Sequence, residues 1–219
     1  MQKVHVSDEI AAVISLHPYL RDPDFRIAPI RDQIELQAET VLRAHHQGDP
    51  RVLPHLLSWW SGAARRSSDE VMEATFGGID AKATLSREYG FSGWDEVSVL
   101  GDMAQDSDFE TAIDALIAGD EATLEQLIEE EPALAARQSR FGHRATLLHY
   151  LGANGVETWR QQTPLNAPTL ARLLIRRGAD PSKNAKMYGG GQTAYNLAST
   201  SVHPARAGVM DALLEALKT

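Results

Sequence analysis

Cysteine is absent from this chain of 219 residues, and no apolar run approaches the ~18 residues that a membrane-spanning helix needs. Without cysteine the chain has no disulfide, no thiolate metal site and no cysteine nucleophile. The first residues also lack the basic-then-apolar order of a secretory signal peptide. We therefore expect a cytoplasmic protein that has no membrane partner.

Acidic residues outnumber basic ones, and they are unevenly distributed. The chain has 21 lysines and arginines against 30 aspartates and glutamates, a formal net charge of −9. Eleven of the acids lie between Asp102 and Glu131, a stretch without lysine or arginine, so the remaining 19 acids and 21 bases nearly balance. A nucleic-acid binder needs a basic face, and this balance argues against a nucleic-acid partner. We interpret the acidic stretch as a solvated helical face rather than a docking patch.

Helix signals cover the chain, and strand signals are almost missing. Apolar residues at helical spacing predict a helix that begins at Ile30 and ends at Gly48, and Asp49-Pro50 is typical of the start of the next helix. The turn at Gly119-Asp120 has the same pattern, between two further amphipathic stretches. Such self-similarity is typical of repeat proteins.

The stretch 146–149, Thr-Leu-Leu-His, resembles the T-P-L-H box that opens an ankyrin repeat, with leucine in place of proline. The stretch 169–180, TLARLLIRRGAD, is similar to the second helix of such a repeat and its G-A-D exit. The segments LLHYLGANGVE, TPLNAP and YGGGQT are similar to a group of bacterial ankyrin-like proteins. The resemblance covers about half the chain, and it implies that His149 bonds within and between repeats rather than acting in catalysis.

The predicted fold is all-α: a solenoid of stacked, ankyrin-like helix–turn–helix units with minimal β-structure. One helix pair cannot bury its apolar stripe alone, so neighbouring pairs must share a continuous core. Three segments are expected. They are an N-terminal helix that acts as an arm or a cap at 1–29, helical pairs at 30–103, and ankyrin-like repeats at 104–219.

Two connections between repeats contain five basic residues and no acid. We call residues 137–144 the first finger and residues 182–191 the second finger, because in ankyrin proteins such loops project along the binding surface. The resemblance implies a cationic edge with apolar anchors that binds another protein, whereas the alternative is polar loops with glycines in tight turns. The predicted partner-binding residues are Arg137, Arg140, Phe141, Arg144, Lys183, Lys186, Met187 and Tyr188.

Two insertions, at 156–168 and 199–208, interrupt the repeat pattern between paired helices. Stacking of consecutive repeats would place them side by side, and loops on a rigid scaffold can enclose a pocket. The pocket candidates are Trp159, Arg160, His203 and Arg206. In this second interpretation the chain binds a small molecule or is an enzyme, with His203 as acid or base.

Complete catalytic, phosphate-binding and metal-binding motifs are missing. The eight histidines include no i, i+4 pair, and Gly189-Gly190-Gly191 lacks the Gly-Lys-Ser/Thr of a phosphate loop. Gly90-Phe91-Ser92-Gly93 continues with Trp94 where a nucleophile elbow needs glycine. We therefore predict a protein–protein interaction module with no metal, no cofactor and no chemistry of its own, and keep the small-molecule binder or enzyme as the alternative.

Overall fold

The structure is a computed structural model, and it describes residues 4–218. This part of the chain is mostly helical with little β-structure, as predicted. The α-helices are α1 (Asp8–Leu16), α2 (Pro23–Arg26), α3 (Ile30–His46), α4 (Leu53–Trp59), α5 (Ser68–Glu73), α6 (Gly78–Glu88), α7 (Trp94–Ser98), α8 (Ser107–Ala118), α9 (Glu121–Glu130), α10 (Leu147–Leu151), α11 (Ala167–Arg176), α12 (Ala194–Thr200), α13 (Val202–Arg206) and α14 (Met210–Leu217). Short 3-10 helices lie at Pro18–Arg21, Pro50–Val52, Ser61–Ala63, Pro132–Ala136 and Thr158–Arg160. The strands are β1 (Val4–His5), β2 (Thr163–Pro164), β3 (Ala185–Met187) and β4 (Gly190–Gln192).

The two turns with matching sequence have matching structures. Gly48 and Gly119 both adopt the left-handed conformation, with φ of 69° and 72°. In each turn the following aspartate donates its backbone N–H to an alanine carbonyl five residues back, and its side chain accepts from the next helical turn. Glycine and aspartate suit these two positions because one tolerates positive φ and the other caps a helix start. Both turn predictions are confirmed.

Apolar side chains gather into two large cores. The N-terminal core is built from α3, α4 and α6 and includes the fully buried Ile34, Leu56 and Leu85. The C-terminal core is built from the helices α8 to α12 and α14 and includes the fully buried Ile113 and Leu174. Within it, α10 contacts both α8 and α12, while α11 packs on α14. The apolar sides of these helices are therefore buried against one another in a shared core.

The N-terminal segment packs on both halves of the chain. Helix α1 contacts Pro50–Val52 on one side and Thr158–Arg160 on the other. Strand β1 pairs antiparallel with β2, which places Val4 opposite Pro164 in the first insertion. Residues 1–3 of the predicted arm or cap lie outside the described residues. Among the described helices none combines the length and apolarity needed to cross a membrane.

Candidate functional site

The second finger ends in a β-hairpin with a two-residue turn. Strands β3 and β4 pair with Met187 opposite Gly190, which leaves Tyr188 and Gly189 as the loop. Their φ values are 53° and 75°, the combination of a type I′ turn. Glycine and asparagine suit these positions, whereas the tyrosine Cβ makes positive φ costly. The tip of the hairpin therefore holds Tyr188 in a conformation that tyrosine rarely adopts, with 58 % of its surface exposed.

A cleft of about 620 Å³ lies between the second finger and the part of the chain that contains α4 and α6. Trp59 and Phe91 line the helical side, and Lys186 and Tyr188 line the finger side. The rings of Trp59 and Tyr188 are 9° from parallel, with centroids 6.1 Å apart. Parallel rings at this separation are stacked with an offset, and we call this pair the aromatic wall. The volume is in the range of ligand-binding clefts.

Two cations and one anion border this aromatic wall. Nε of Arg87 donates to the backbone carbonyl of Trp59 at 2.9 Å, which fixes the guanidinium beside the indole. Burial lowers the pKa of Arg87, but an arginine stays cationic at neutral pH. Within residues 4–218 neither Arg87 nor Lys186 forms an ion pair. Glu96 accepts from the backbone N–H and the hydroxyl of Ser92 at 2.8 and 2.9 Å.

The predicted apolar anchors of the fingers are buried. Phe141 in the first finger is 2 % exposed, and its ring meets Tyr89 edge-on with centroids 4.5 Å apart. Met187 is 4 % exposed and belongs to the C-terminal core, although it also lines the cleft. This corrects the prediction of exposed anchors at both positions, because each side chain completes an apolar core. Tyr188 is the apolar anchor that the structure leaves exposed.

The arginines of the first finger differ in the groups that accept their hydrogen bonds. Arg137 pairs with Asp106 at 2.9 Å and also with Glu131, so its guanidinium is already engaged. Arg140 is exposed, and its Nη1 donates to the backbone carbonyl of Ala104 at 2.8 Å. That neutral acceptor leaves the positive charge of Arg140 uncompensated. The first finger is therefore partly tied into the fold.

Four exposed finger cations form no ion pair with any residue of the described chain. We call them the cationic rim, and they are Arg140, Arg144, Lys183 and Lys186. The two fingers are joined through the backbone, since the N–H of Lys186 donates to the carbonyl of His143 at 2.7 Å. This bond brings the two loops together on one side of the molecule, next to the cleft.

The side chains of the two insertions meet the N-terminal segment. Trp159 is 7 % exposed and packs with apolar residues of α1 and of Pro18–Arg21. His203 is 9 % exposed, and burial lowers its pKa. Arg206 is exposed and faces Glu9 at 3.7 Å. The predicted pocket residues thus have a neighbour that the repeat pattern does not indicate, and Trp159 is a packing residue rather than an open pocket wall.

Arg160 lies in a buried ionic cluster. The residue is 1 % exposed, its Nη1 donates to Glu157 at 3.0 Å, and its Nη2 pairs with Glu110. Burial alone would lower the pKa of Arg160, but the charges of Glu110 and Glu157 outweigh it and raise that pKa. Burial likewise opposes ionisation of Glu157, yet Arg160 and His143 bring its pKa down to about 2. This corrects the assignment of Arg160 to the wall of an open pocket.

A second buried chain of polar groups was not predicted from the sequence. Glu88 accepts from the backbone N–H of Thr158 at 2.9 Å and bonds His55 at 2.5 Å. His55 contacts His17 at 3.1 Å, and His17 bonds the hydroxyl of Tyr19 at 2.7 Å. Burial and the neighbouring His55 lower the pKa of His17 to about 2. Glu88 lies within a helical pattern beside Arg87, and nothing in that pattern separates a buried glutamate from a surface one.

More than half of the acids in the stretch 102–131 form ion pairs with arginines. Arginines from other parts of the chain pair with six of its eleven acids: Asp106, Glu110, Asp114, Glu125, Glu129 and Glu131. Of these six, Glu110 is buried and departs from the interpretation as a solvated face, whereas the side chains of Glu125, Glu129 and Glu131 stay 41–58 % exposed. The pairing arginines lie outside this stretch in the sequence, so a count of the charges within it cannot reveal the ion pairs.

His149 makes the contacts that the resemblance implies. Its Nδ1 accepts from the backbone N–H of Thr146 at 3.1 Å, so the ring proton of the neutral form is on Nε2. That atom faces the backbone carbonyl of Gln192 at 3.1 Å, which links α10 to the start of α12. Burial lowers the pKa of His149 to about 4, which keeps the ring neutral at physiological pH.

Comparison with known proteins found no match to this chain among family models, curated proteins or solved structures. The likeness to ankyrin repeats accordingly rests on the residues quoted above. Function has to be inferred from the cleft, the fingers and their charges.

Proposed function

We propose that this chain is a protein–protein interaction module that holds an acidic segment of its partner on the cationic rim and performs no chemistry of its own. The observation that carries the proposal is the set of exposed, unpaired cations beside an aromatic cleft. Arg137, at the start of the first finger, and Arg177 are already paired with carboxylates, whereas the four rim cations are not paired within residues 4–218. Cations left without a partner at one edge are suited to a partner's carboxylates.

The scaffold that we propose is a solenoid of ankyrin type. It is supported by the placement of α10 between α8 and α12, and by the bonds of His149 to Thr146 and Gln192. In such a solenoid the connections between repeats lie along one edge and present an extended surface. The two fingers would form that edge.

The net charge of −9 does not conflict with an acidic partner. At physiological ionic strength the screening length is about 8 Å, so charges beyond the immediate contact contribute little. Binding through the rim should consequently weaken as salt is raised.

The test uses a library of random peptides displayed on phage and selected against the folded protein. Peptides rich in aspartate and glutamate should be enriched, because carboxylates complement the rim. The double variant Arg140→Glu with Lys186→Glu should lose the selected peptides while unfolding at the same urea concentration as the wild type. Retention of those peptides by the double variant would contradict the proposal.

The matched control places the same charge change elsewhere. Arg43 and Arg176 are also exposed and form no ion pair within residues 4–218. Arg43→Glu with Arg176→Glu should keep the selected peptides, since neither position borders the fingers. An equal loss in both double variants would mean that only overall charge matters, and the rim would have no special role.

A further inference from the structure

The aromatic wall beside the rim has no part in binding carboxylates. We propose that the cleft binds an aromatic side chain that stands between acidic residues in the partner segment, with its ring on the wall formed by Trp59 and Tyr188. Arg87 and Lys186 then meet the flanking carboxylates. This inference rests on the proposed function, and it identifies which peptide the site prefers.

Tyr188 is the first support for this assignment. A type I′ turn favours asparagine or glycine at this position, and Gly189 already follows it. Tyrosine is instead held at φ of 53°, exposed, and stacked beside Trp59. Costly backbone conformations at exposed tips are typical of functional sites. The contact with Trp59 and the hydrogen bond from the Tyr188 hydroxyl to Asn154 hold the ring at the edge of the cleft.

The indole of Trp59 is the second support. Its Nε1 is shielded from solvent and has no hydrogen-bond acceptor within residues 4–218. A buried indole N–H normally has a partner. A ligand that enters beside Tyr188 and shifts the indole can accept from this N–H with a backbone carbonyl oxygen. An unsatisfied donor in the wall of a cleft favours a ligand that is not purely apolar.

The charges decide which atoms flank the aromatic ring. Arg87 is anchored through Nε to the Trp59 carbonyl, which leaves its terminal N–H groups for a carboxylate. Lys186 lies on the opposite side of the same cleft and has no ion pair within the described residues. One carboxylate on each side of the ring therefore finds a cation. Glu96, which also lines the cleft, disfavours a third acid at its position.

A peptide fits these features better than a small aromatic anion. The cations continue beyond the cleft along both fingers, at Arg140, Arg144 and Lys183. A nucleotide concentrates its charge on one phosphate group and cannot reach cations spread along two loops. A peptide with several carboxylates contacts the whole row.

The experiment measures fluorescence anisotropy with three fluorescein-labelled peptides of aspartate and glutamate. One has a central phenylalanine, one a central leucine, and one has phenylalanine with all acids replaced by asparagine and glutamine. We expect the acidic phenylalanine peptide to bind about tenfold more tightly than the leucine copy, because an aromatic ring gains a stacking contact with the aromatic wall that leucine cannot make. The uncharged copy should not bind measurably.

The decisive variant is Tyr188→Asn, which removes the ring and keeps a residue that suits the turn. It should abolish the preference for phenylalanine over leucine while the urea unfolding midpoint stays close to that of the wild type. Tyr188→Phe should restore the preference. Ile79→Asn, which changes an exposed apolar residue away from the cleft, should leave it unaltered.

The outcomes separate the two proposals. Equal binding of the phenylalanine and leucine peptides, with loss in Lys186→Glu, overturns the aromatic site and leaves the acidic-segment module standing. No binding of any acidic peptide at millimolar concentration overturns both. Tighter binding of adenosine monophosphate than of the acidic phenylalanine peptide overturns the peptide assignment and points to a small aromatic anion.

Discussion

The first and second fingers have similar amino-acid compositions but pack differently against the rest of the protein. Each contains basic residues, one aromatic residue and glycine, and neither contains an acid. The first finger is drawn into the fold, with Phe141 in the N-terminal core and Arg137 held by two carboxylates. The second finger is a hairpin that buries Ala185 and Met187 in the C-terminal core and leaves Tyr188 and Lys186 exposed. The neighbours of a loop, more than its own residues, decide whether its aromatic side chain is buried or exposed.

The backbone of the first finger crosses the backbone after α6 at close range, which explains why this finger packs against the N-terminal core. A Cβ on Gly142 would lie 2.4 Å from the carbonyl oxygen of Gly90, and a Cβ on Gly90 would lie 2.2 Å from the backbone nitrogen of His143. Only two glycines allow these backbones to approach so closely. The approach brings Phe141 within reach of Tyr89 and the N-terminal core. The second finger has no such crossing with α4 or α6, and the cleft remains between them.

The largest difference in unfolding free energy between the two fingers is expected at their aromatic residues, Phe141 and Tyr188. Phe141→Ala should lower the free energy of unfolding by about 3–5 kcal/mol, since it removes a buried ring and leaves a cavity. Tyr188→Ala should cost about 1–2 kcal/mol, because it removes only a stacking contact and a hydrogen bond to Asn154, both at the surface. Urea denaturation followed by circular dichroism measures both. Equal losses would show that the two fingers are packed alike.

A smaller effect is expected at the glycines. Gly142→Ala should cost about 1–3 kcal/mol, as the added methyl group forces two backbones apart. Gly190→Ala in the second finger is the matched control, because its Cβ would meet no atom within 4 Å. The same denaturation assay applies. A tolerated Gly142→Ala would mean that the crossing does not hold the first finger.

Acid should weaken the interior to which the first finger is attached. The folded pKa of His149 is about 4 against 6.5 in the unfolded chain, so the unfolded state takes up protons first and stability falls as pH drops from 6.5 to 4. For Glu157 the values are about 2 and 4.5, and its contribution is lost as pH falls from 4.5 to 2. Urea midpoints against pH measure the slope.

His149→Gln separates these two contributions. The variant should make the decline between pH 6.5 and 4 shallower without removing it, because buried His17, whose folded pKa is about 2, also loses stability there. The loss below pH 4.5 should stay, since Glu157 is unchanged. An unaltered slope in the upper interval would show that His149 is protonated in the folded protein as readily as in the unfolded chain.

The smallest difference in unfolding free energy is expected between substitutions of Arg137 in the first finger and Lys186 in the second. Arg137→Ala should cost about 0.5–1 kcal/mol, because its two ion pairs are partly exposed and screened by water. Lys186→Ala should change the free energy of unfolding by less than about 0.5 kcal/mol, as it breaks no ion pair within the described residues. A stabilising effect of Lys186→Ala would indicate that the rim cations repel one another at a cost to the fold.

Local patterns anticipated much of the scaffold. The Gly48-Asp49 and Gly119-Asp120 turns follow from adjacent residues, because positive φ and helix capping are local properties. The bonds of His149 were implied by its motif position. The cationic residues of the rim were also named from the sequence, since exposed loops keep lysine and arginine at the surface.

Half of the candidate site could not be found in this way. Trp59 and Arg87 are far from the second finger in sequence, and the cleft exists because the folded chain places them opposite Tyr188. Phe141 and Arg160 were assigned to open surfaces, whereas the fold supplies a core for one and two carboxylates for the other. Contacts between distant residues have no signature in a single local pattern.

The sequence by itself determined the two glycine–aspartate turns between helices, which loops are basic, and that cysteine chemistry is excluded, because each follows from residue type and spacing along the chain. Only the tertiary structure decided which loop is buried, which charges are neutralised and which aromatic rings share a cleft. Burial and pairing depend on what lies across the interface between two apolar cores, and that is set by the packing of the whole chain.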